Sequence, residues 1–119
     1  MKFSEVSLII PVYNSELYVE RSIRSAIKNR DLLPSLEIVV VNDGSTDFTA
    51  DILKKFEEND DIILINHKEN KGLPSALNTG IVKSTGQFIV RLDSDDFVLE
   101  NYCYLLSCFL KNNNNLDAV

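Results

Sequence analysis

Four short runs of apolar residues divide this chain, and they restrict its fold more than any other feature. The runs cover residues 6–10, 38–41, 62–65 and 88–90. β-Branched side chains dominate them, and none alternates between apolar and polar residues. This pattern is typical of strands that are buried on both faces, as in a parallel sheet. We therefore predict four strands of a mostly parallel sheet.

The segments between these runs have the period of an amphipathic helix. Val19, Ile23 and Ile27 repeat at intervals of four residues, which places them on one helix face. Similar patterns predict three more helices, near residues 48–56, 73–83 and 100–111. The order βαβαβαβα indicates an α/β fold, a Rossmann-like three-layer sandwich with a mostly parallel sheet.

The charge balance excludes one class of partner. The 119 residues include 12 Lys and Arg against 18 Asp and Glu, for a net charge of −6. Nucleic-acid binding depends on clustered Lys and Arg, whereas the basic residues here are scattered among more numerous acidic ones. We expect a single domain with no nucleic-acid partner.

The sequence predicts no membrane span and no signal peptide, because it has no apolar run of roughly 18 residues and no apolar core near its start. Cys103 and Cys108 lie on different faces of a predicted helix, so we expect two reduced thiols. These features predict a cytoplasmic protein.

Polar residues follow each predicted strand, at the edge where open parallel sheets bind ligands. The segments are residues 11–14, residues 42–47, residues 66–72 and the acidic cluster Asp93, Asp95 and Asp96. The glycine-rich phosphate motifs G-x-G-x-x-G and G-x-x-x-x-G-K-[ST] are absent. Phosphate binding would therefore need another structural feature.

The acidic cluster would bind phosphate through a metal ion. Carboxylates one residue apart can coordinate Mg²⁺ or Mn²⁺, and the cation then bridges to phosphate oxygens and relieves the repulsion between the acidic groups. A solvated acidic turn that caps the next helix is the alternative. An EF-hand loop is excluded, because Val98 and Tyr104 stand where Gly and Glu are required.

Two other features have structural interpretations when each is taken alone. We expect His67 to be an exposed loop residue without a partner for nucleophilic catalysis. Ala76 and Gly80, four residues apart, predict close packing of a helix on the sheet.

Four blocks together resemble the N-terminal, nucleotide-sugar-binding part of the family 2 glycosyltransferases, which have the GT-A fold. In order, the blocks are SLIIPVYN, EIVVVNDGSTD, NKGLPSALNTG and GQFIVRLDSDD. The resemblance implies that residues 1–119 are the donor-binding half of a truncated GT-A domain whose acceptor half is absent.

The resemblance also implies a donor site. Pro11 and Tyr13 would line the base pocket, and Asp43 would accept the N3 proton of uracil. The full donor-binding set would be Pro11, Tyr13, Asn14, Asp43, Asn70 and Asp93. Asn42 and Leu77 depart from the family, where many members have Asp and Arg, so a cation near the diphosphate would be missing at position 77.

The D-x-D element would bind the metal, Mg²⁺ or Mn²⁺. Asp95 would be a direct ligand, Asp93 would face the ribose or a metal-bound water, and Asp96 would support them from outside the coordination sphere. No catalytic residue is expected in this chain, since the general base of the family comes from the acceptor half, after Val119.

The last four residues, 116–119, resemble the opening of a fifth strand. A fragment that ends there would leave a sheet edge open to self-association as a homo-oligomer.

We interpret the chain as part of a metal-dependent, inverting glycosyltransferase. It would transfer a sugar from a nucleotide-diphosphate sugar, a UDP-sugar, to a saccharide or lipid-linked acceptor in polysaccharide or glycolipid synthesis, at the inner face of the membrane in the full-length protein. A non-catalytic nucleotide- or metal-binding module is the alternative. A sugar nucleotidyltransferase would carry a glycine- and arginine-rich loop after the first strand, which this chain lacks.

Overall fold

The computed structural model describes residues 4–58, 60 and 62–119. Strands and helices alternate along the chain, as the sequence predicts. The strands are β1 (Val6–Val12), β2 (Glu37–Asp43), β3 (Ile63–His67) and β4 (Phe88–Arg91). The helices are α1 (Val19–Lys28), α2 (Thr49–Glu57), α3 (Leu73–Lys83) and α4 (Tyr102–Asn112).

The four strands form one parallel sheet in the order β3-β2-β1-β4. Ile9 of β1 lies between Val39 of β2 and Arg91 of β4, while Asp43 of β2 is opposite His67 of β3. Because the strands are parallel, their carboxyl ends share one edge of the sheet. The chain reverses its winding direction between β1 and β4, and a ligand crevice is expected at such a point.

The sheet lies between two helical layers, so the predicted three-layer sandwich is confirmed. Leu8 and Ile10 of β1 belong to a large hydrophobic cluster with α1, α2 and α4. Ile9 points to the other face, where it packs with Val39 and α3. Successive residues of a strand point to opposite faces, which is why a continuous apolar run serves both layers.

Small residues let α3 approach the sheet closely, as predicted. Ala76 is only 1% exposed. A Cβ built on Gly80 would lie 2.6 Å from Cγ2 of Ile9, a distance that allows no side chain there without a shift of the sheet residue.

The prediction of a fifth strand is wrong. Residues 113–119 contain no strand. A strand is defined by pairing with a neighbour, and Asp117, Ala118 and Val119 lie beside β4 in a shared groove without extending the sheet.

The expectation that the two cysteines are reduced agrees with the structure. Cys103 and Cys108 are free thiols, and burial raises the pKa of Cys103 to about 11. Within the part of the chain that the structure describes, no helix is both long enough and apolar enough to span a bilayer.

Candidate functional site

A cleft of about 400 Å³ lies at the carboxyl ends of β1 and β4, where the winding direction changes. Its lining residues are Pro11, Tyr13, Asn14, Ser15, Tyr18, Leu73, Arg91, Asp93, Ser94 and Asp95. Five predicted site residues therefore come together here: Pro11, Tyr13, Asn14, Asp93 and Asp95. Pro11 is buried in β1, whereas the ring of Tyr13 is half exposed and available to a ligand.

The predicted acidic cluster forms at one side of this cleft. One carboxylate oxygen from each of Asp93, Asp95 and Asp96 lies within 4.8 Å of the others. A turn in which the Asp96 N–H donates to the Asp93 carbonyl at 3.0 Å helps to bring them together. Three carboxylates supply the hard oxygen ligands that Mg²⁺ and Mn²⁺ prefer, so the donor set fits the predicted metal.

Side chains near the start of α1 hold the backbone of this acidic loop. They make three hydrogen bonds to its carbonyl groups: from Ser15 Oγ to Ser94 at 3.3 Å, from Ser22 Oγ to Asp93 at 3.3 Å, and from Arg21 Nη2 to Asp95 at 3.2 Å. The Arg21 guanidinium also lies 4.8 Å from the ring centroid of Phe97. The loop position is thus determined by α1, while none of these bonds uses a carboxylate of the cluster.

Arg91, which sequence reasoning did not single out, pairs with Asp93. Its Nη2 and Nε lie 2.8 and 3.0 Å from Oδ1 of Asp93, and each of the two side chains is 47% exposed. The pairing was not predictable from composition, but position 91 ends β4 immediately before the acidic loop.

Asp43 is not among the residues that line the cleft, and it lies in a second polar network with Asn70. Its carboxylate accepts four hydrogen bonds: from His67 Nδ1 at 2.8 Å, Asn70 Nδ2 at 3.1 Å, Lys71 N at 3.0 Å and Gly72 N at 2.9 Å. Burial alone would raise the pKa of Asp43, but the hydrogen bonds from His67, Lys71 and Gly72 outweigh it and lower the pKa below its ordinary value. Neither Asp43 nor Asn70 lines the cleft.

The expectation for His67 is wrong. The residue ends β3, its side chain is only 8% exposed, and Nε2 lies 2.8 Å from Oγ1 of Thr79 while Nδ1 contacts Asp43. The strand register explains this, because Asp43 and His67 are direct partners across β2 and β3. Polar residues at the ends of two successive apolar runs are the sequence signal that would have indicated the pair.

Asn14 connects the loops that follow β1 and β2. It has a left-handed backbone, with φ of 47°, a conformation that Asn tolerates better than most residues. Its Oδ1 accepts from the Thr46 N–H at 2.8 Å, and its own N–H donates to Ser45 Oγ at 3.0 Å. Asn14 therefore shapes the cleft wall as well as lining it.

The two departures from the family pattern both contact other parts of the protein, Asn42 as a buried residue and Leu77 as a partly buried one. Asn42 is 4% exposed, donates to Asn66 Oδ1 at 3.0 Å and accepts from Ser45 N at 3.2 Å. Leu77 packs against the cluster around Ile9. Position 77 therefore contributes no charge to the cleft.

A three-layer α/β fold with a carboxylate cluster beside a cleft at the switch in winding direction is the arrangement of the GT-A glycosyltransferases. Residues 7–119 match the family model described as "Glycosyl transferase family 2". The chain therefore belongs to glycosyl transferase family 2.

Similar proteins agree with this assignment. Glycosyltransferase GlyA of Streptococcus pneumoniae serotype 4 is 42% identical over 98 residues, which cover 82% of this chain and 14% of GlyA. A structure of TarS from S. aureus in complex with UDP has a TM-score of 0.81 at 29% identity, over 92% of this chain and 33% of that one.

A third similar protein was solved with both nucleotide sugar and metal. The mannosyltransferase PcManGT from Pyrobaculum calidifontis, in complex with GDP-Man and Mn²⁺, has a TM-score of 0.80 at 27% identity. The match covers 91% of this chain and 32% of PcManGT. This chain thus spans a third or less of each of the three proteins.

Proposed function

We propose that residues 1–119 are the donor-binding part of a metal-dependent glycosyltransferase that uses a nucleotide-diphosphate sugar, a UDP-sugar. The observation that carries the proposal is the convergence of Asp93, Asp95 and Asp96 within 4.8 Å beside a cleft lined by Pro11 and Tyr13. Complexes of similar proteins with UDP and with GDP-Man and Mn²⁺ support it.

The cleft supplies surfaces suited to the two ends of a nucleotide. The half-exposed ring of Tyr13 offers aromatic contact area to the base and ribose, and the mostly buried Pro11 belongs to the same lining. Asp95 and Asp93 lie on the same lining and would hold the metal at the diphosphate. When bound, Mg²⁺ or Mn²⁺ supplies Lewis-acid stabilisation of the departing diphosphate.

The predicted contact between Asp43 and the N3 proton of uracil remains part of the proposal, with one structural condition. The carboxylate already accepts four internal hydrogen bonds, so a base would have to replace one of them. The donor from Asn70 is the replaceable one, because Asn70 is exposed, whereas His67 is mostly buried and the donors at Lys71 and Gly72 are backbone groups. Asn70 would rotate away as the base arrives.

The transfer step needs a carboxylate that deprotonates the acceptor hydroxyl in an inverting reaction. We propose that this general base lies outside residues 1–119. The acceptor would be a saccharide or a lipid-linked sugar in polysaccharide or glycolipid synthesis at the cytoplasmic face of the membrane. Self-association through the sheet edge at β4 stays a prediction.

Calorimetry with UDP and GDP, each in Mn²⁺ and in EDTA, tests the donor site. We expect the preferred nucleotide to bind in Mn²⁺ and to lose at least about tenfold in affinity in EDTA, because phosphates and the acidic cluster repel each other without the cation. Mn²⁺ alone should raise the melting temperature, since it binds the folded cluster.

Asp95→Asn should remove both effects, because a neutral oxygen replaces the charged ligand. The matched control is Asp51→Asn, which makes the same change at an exposed residue of α2 and should behave like the wild type. UDP binding that is equally tight in EDTA and in Asp95→Asn would indicate the alternative, a solvated acidic turn.

A further inference from the structure

Arg91 is the one cationic side chain among the described residues that line the cleft. It ends β4 at the entrance to the acidic loop, and its side chain is 47% exposed. Arg21 of α1 does not line the cleft; it donates to the Asp95 carbonyl and lies against Phe97. Arg91 is therefore the cation best placed to meet an anionic ligand in the cleft.

The contacts of Arg91 with Asp93 leave part of its guanidinium available. Nε and Nη2 both contact a single oxygen, Oδ1 of Asp93. Within the described residues, Nη1 and its two N–H donors have no hydrogen-bond partner. The contact with Asp93 holds the planar guanidinium in one orientation before a ligand binds. A half-exposed ion pair contributes little stability, so it would offer little resistance when a phosphate replaces Asp93 as the partner of Arg91.

The negative charges beside the cleft favour such a cation. Asp93, Asp95 and Asp96 are three carboxylates at one edge of the cleft, and a diphosphate adds further negative charge. One divalent cation neutralises only part of this sum, so a further positive charge beside the cluster would favour binding of the diphosphate. A guanidinium presents paired N–H donors that match phosphate oxygens.

We infer that Arg91 binds the diphosphate of the nucleotide donor directly, beside the metal held by Asp95, and that it neutralises Asp93 while the cleft holds no ligand. This inference rests on the proposed donor function. It assigns Arg91 a contact with the ligand, which differs from a role confined to orienting Asp93.

The test uses the 119-residue chain and a ligand series of uridine, UMP and UDP in Mn²⁺. Arg91→Gln should weaken UDP binding about tenfold, the loss expected for one charge-assisted contact, with a smaller effect on UMP and none on uridine. Arg91→Lys keeps the charge and should recover part of the loss. Arg24→Gln is the matched control, because Arg24 on α1 is 67% exposed and lies outside the cleft.

Binding of Mn²⁺ alone, measured by electron paramagnetic resonance, distinguishes a direct contact of Arg91 with the diphosphate from a role confined to orienting Asp93. We expect Arg91→Gln to bind Mn²⁺ as tightly as the wild type or more tightly, since removal of a neighbouring positive charge does not weaken a cation site. An equal loss for Mn²⁺ and UDP would overturn the inference, because Arg91 would then only orient Asp93.

Two further outcomes distinguish this inference from the proposed function. Wild-type binding of UDP with no change in Arg91→Gln would reject the role of Arg91 and leave the donor site intact. Failure of the wild type to bind any nucleoside diphosphate in Mn²⁺ would reject both.

Discussion

The imidazole of His67 lies 2.8 Å from Asp43 through Nδ1 and 2.8 Å from the Thr79 hydroxyl through Nε2. The Asp43 and His67 side chains are 4% and 8% exposed. The three residues belong to β2, β3 and α3. One buried polar chain thus connects two strands and a helix, and its Asp43 carboxylate also accepts hydrogen bonds from the backbone N–H groups of Lys71 and Gly72, just before α3.

Replacing His67 should destabilise the fold. His67→Leu removes a donor to a buried carboxylate, which costs about 2–3 kcal/mol of unfolding free energy. His67→Gln retains an N–H donor and should cost less. Urea unfolding at neutral pH measures both, and Thr79→Val shows how much of the effect passes through Nε2. A loss below about 0.5 kcal/mol in His67→Leu would show that the pair behaves like a surface contact.

Asp43 should make the fold sensitive to acid. Its pKa is lowered in the folded state from the ordinary value of 3.8. Its contribution to stability is therefore complete above pH 3.8 and is lost as the pH falls through the lower, folded pKa. Asp43→Asn should lower the unfolding free energy at neutral pH, since an amide replaces the carboxylate that accepts four hydrogen bonds. The variant should also show a weaker dependence of unfolding free energy on pH below about pH 4. Asp51→Asn, on the exposed side of α2, is the control for both measurements.

Gly44 and Gly72 should respond differently to alanine. Both have positive φ, 70° and 97°, so each variant carries backbone strain of about 1–3 kcal/mol. A Cβ on Gly44 would also meet the backbone of Glu69 and lie 2.5 Å from the Asn70 nitrogen, whereas on Gly72 its nearest neighbour is Pro74 Cδ at 3.9 Å. We expect Gly44→Ala to cost more than about 3 kcal/mol and Gly72→Ala less. Equal losses by chemical denaturation would contradict the close approach of the two loops.

At position 14 we expect glycine to be tolerated better than alanine. Both variants lose the hydrogen bond from Thr46 to Oδ1, but only alanine is strained at a φ of 47°. Asn14→Ala should therefore be about 1 kcal/mol less stable than Asn14→Gly. Calorimetric titration with UDP adds a second readout. Equal loss of affinity in both variants would indicate that the side chain contacts the nucleotide, whereas a loss confined to Asn14→Ala would indicate that Asn14 acts through the loop.

Part of the candidate site was predictable from the sequence for a simple geometric reason. Carboxyl ends of parallel strands share an edge, so Pro11 near the end of β1 and Tyr13 just after it had to lie near Asp93 and Asp95 after β4 once the strands were adjacent. The same reasoning does not reveal which edge residues face the cleft. Asp43 also ends a strand at this edge, yet its carboxylate bonds to His67 and to the loop before α3 and does not line the cleft.

The sequence by itself determined the alternation of strands and helices, because apolar periodicity depends only on neighbours along the chain. It also determined the family, through motifs that lie within short segments. Only the tertiary structure decided that His67 is buried against Asp43 and that Arg91 pairs with Asp93. The first pairing depends on strand register and the second on side-chain direction at the end of β4. These pairings result from packing between segments of the fold, and the local composition of a segment does not specify them.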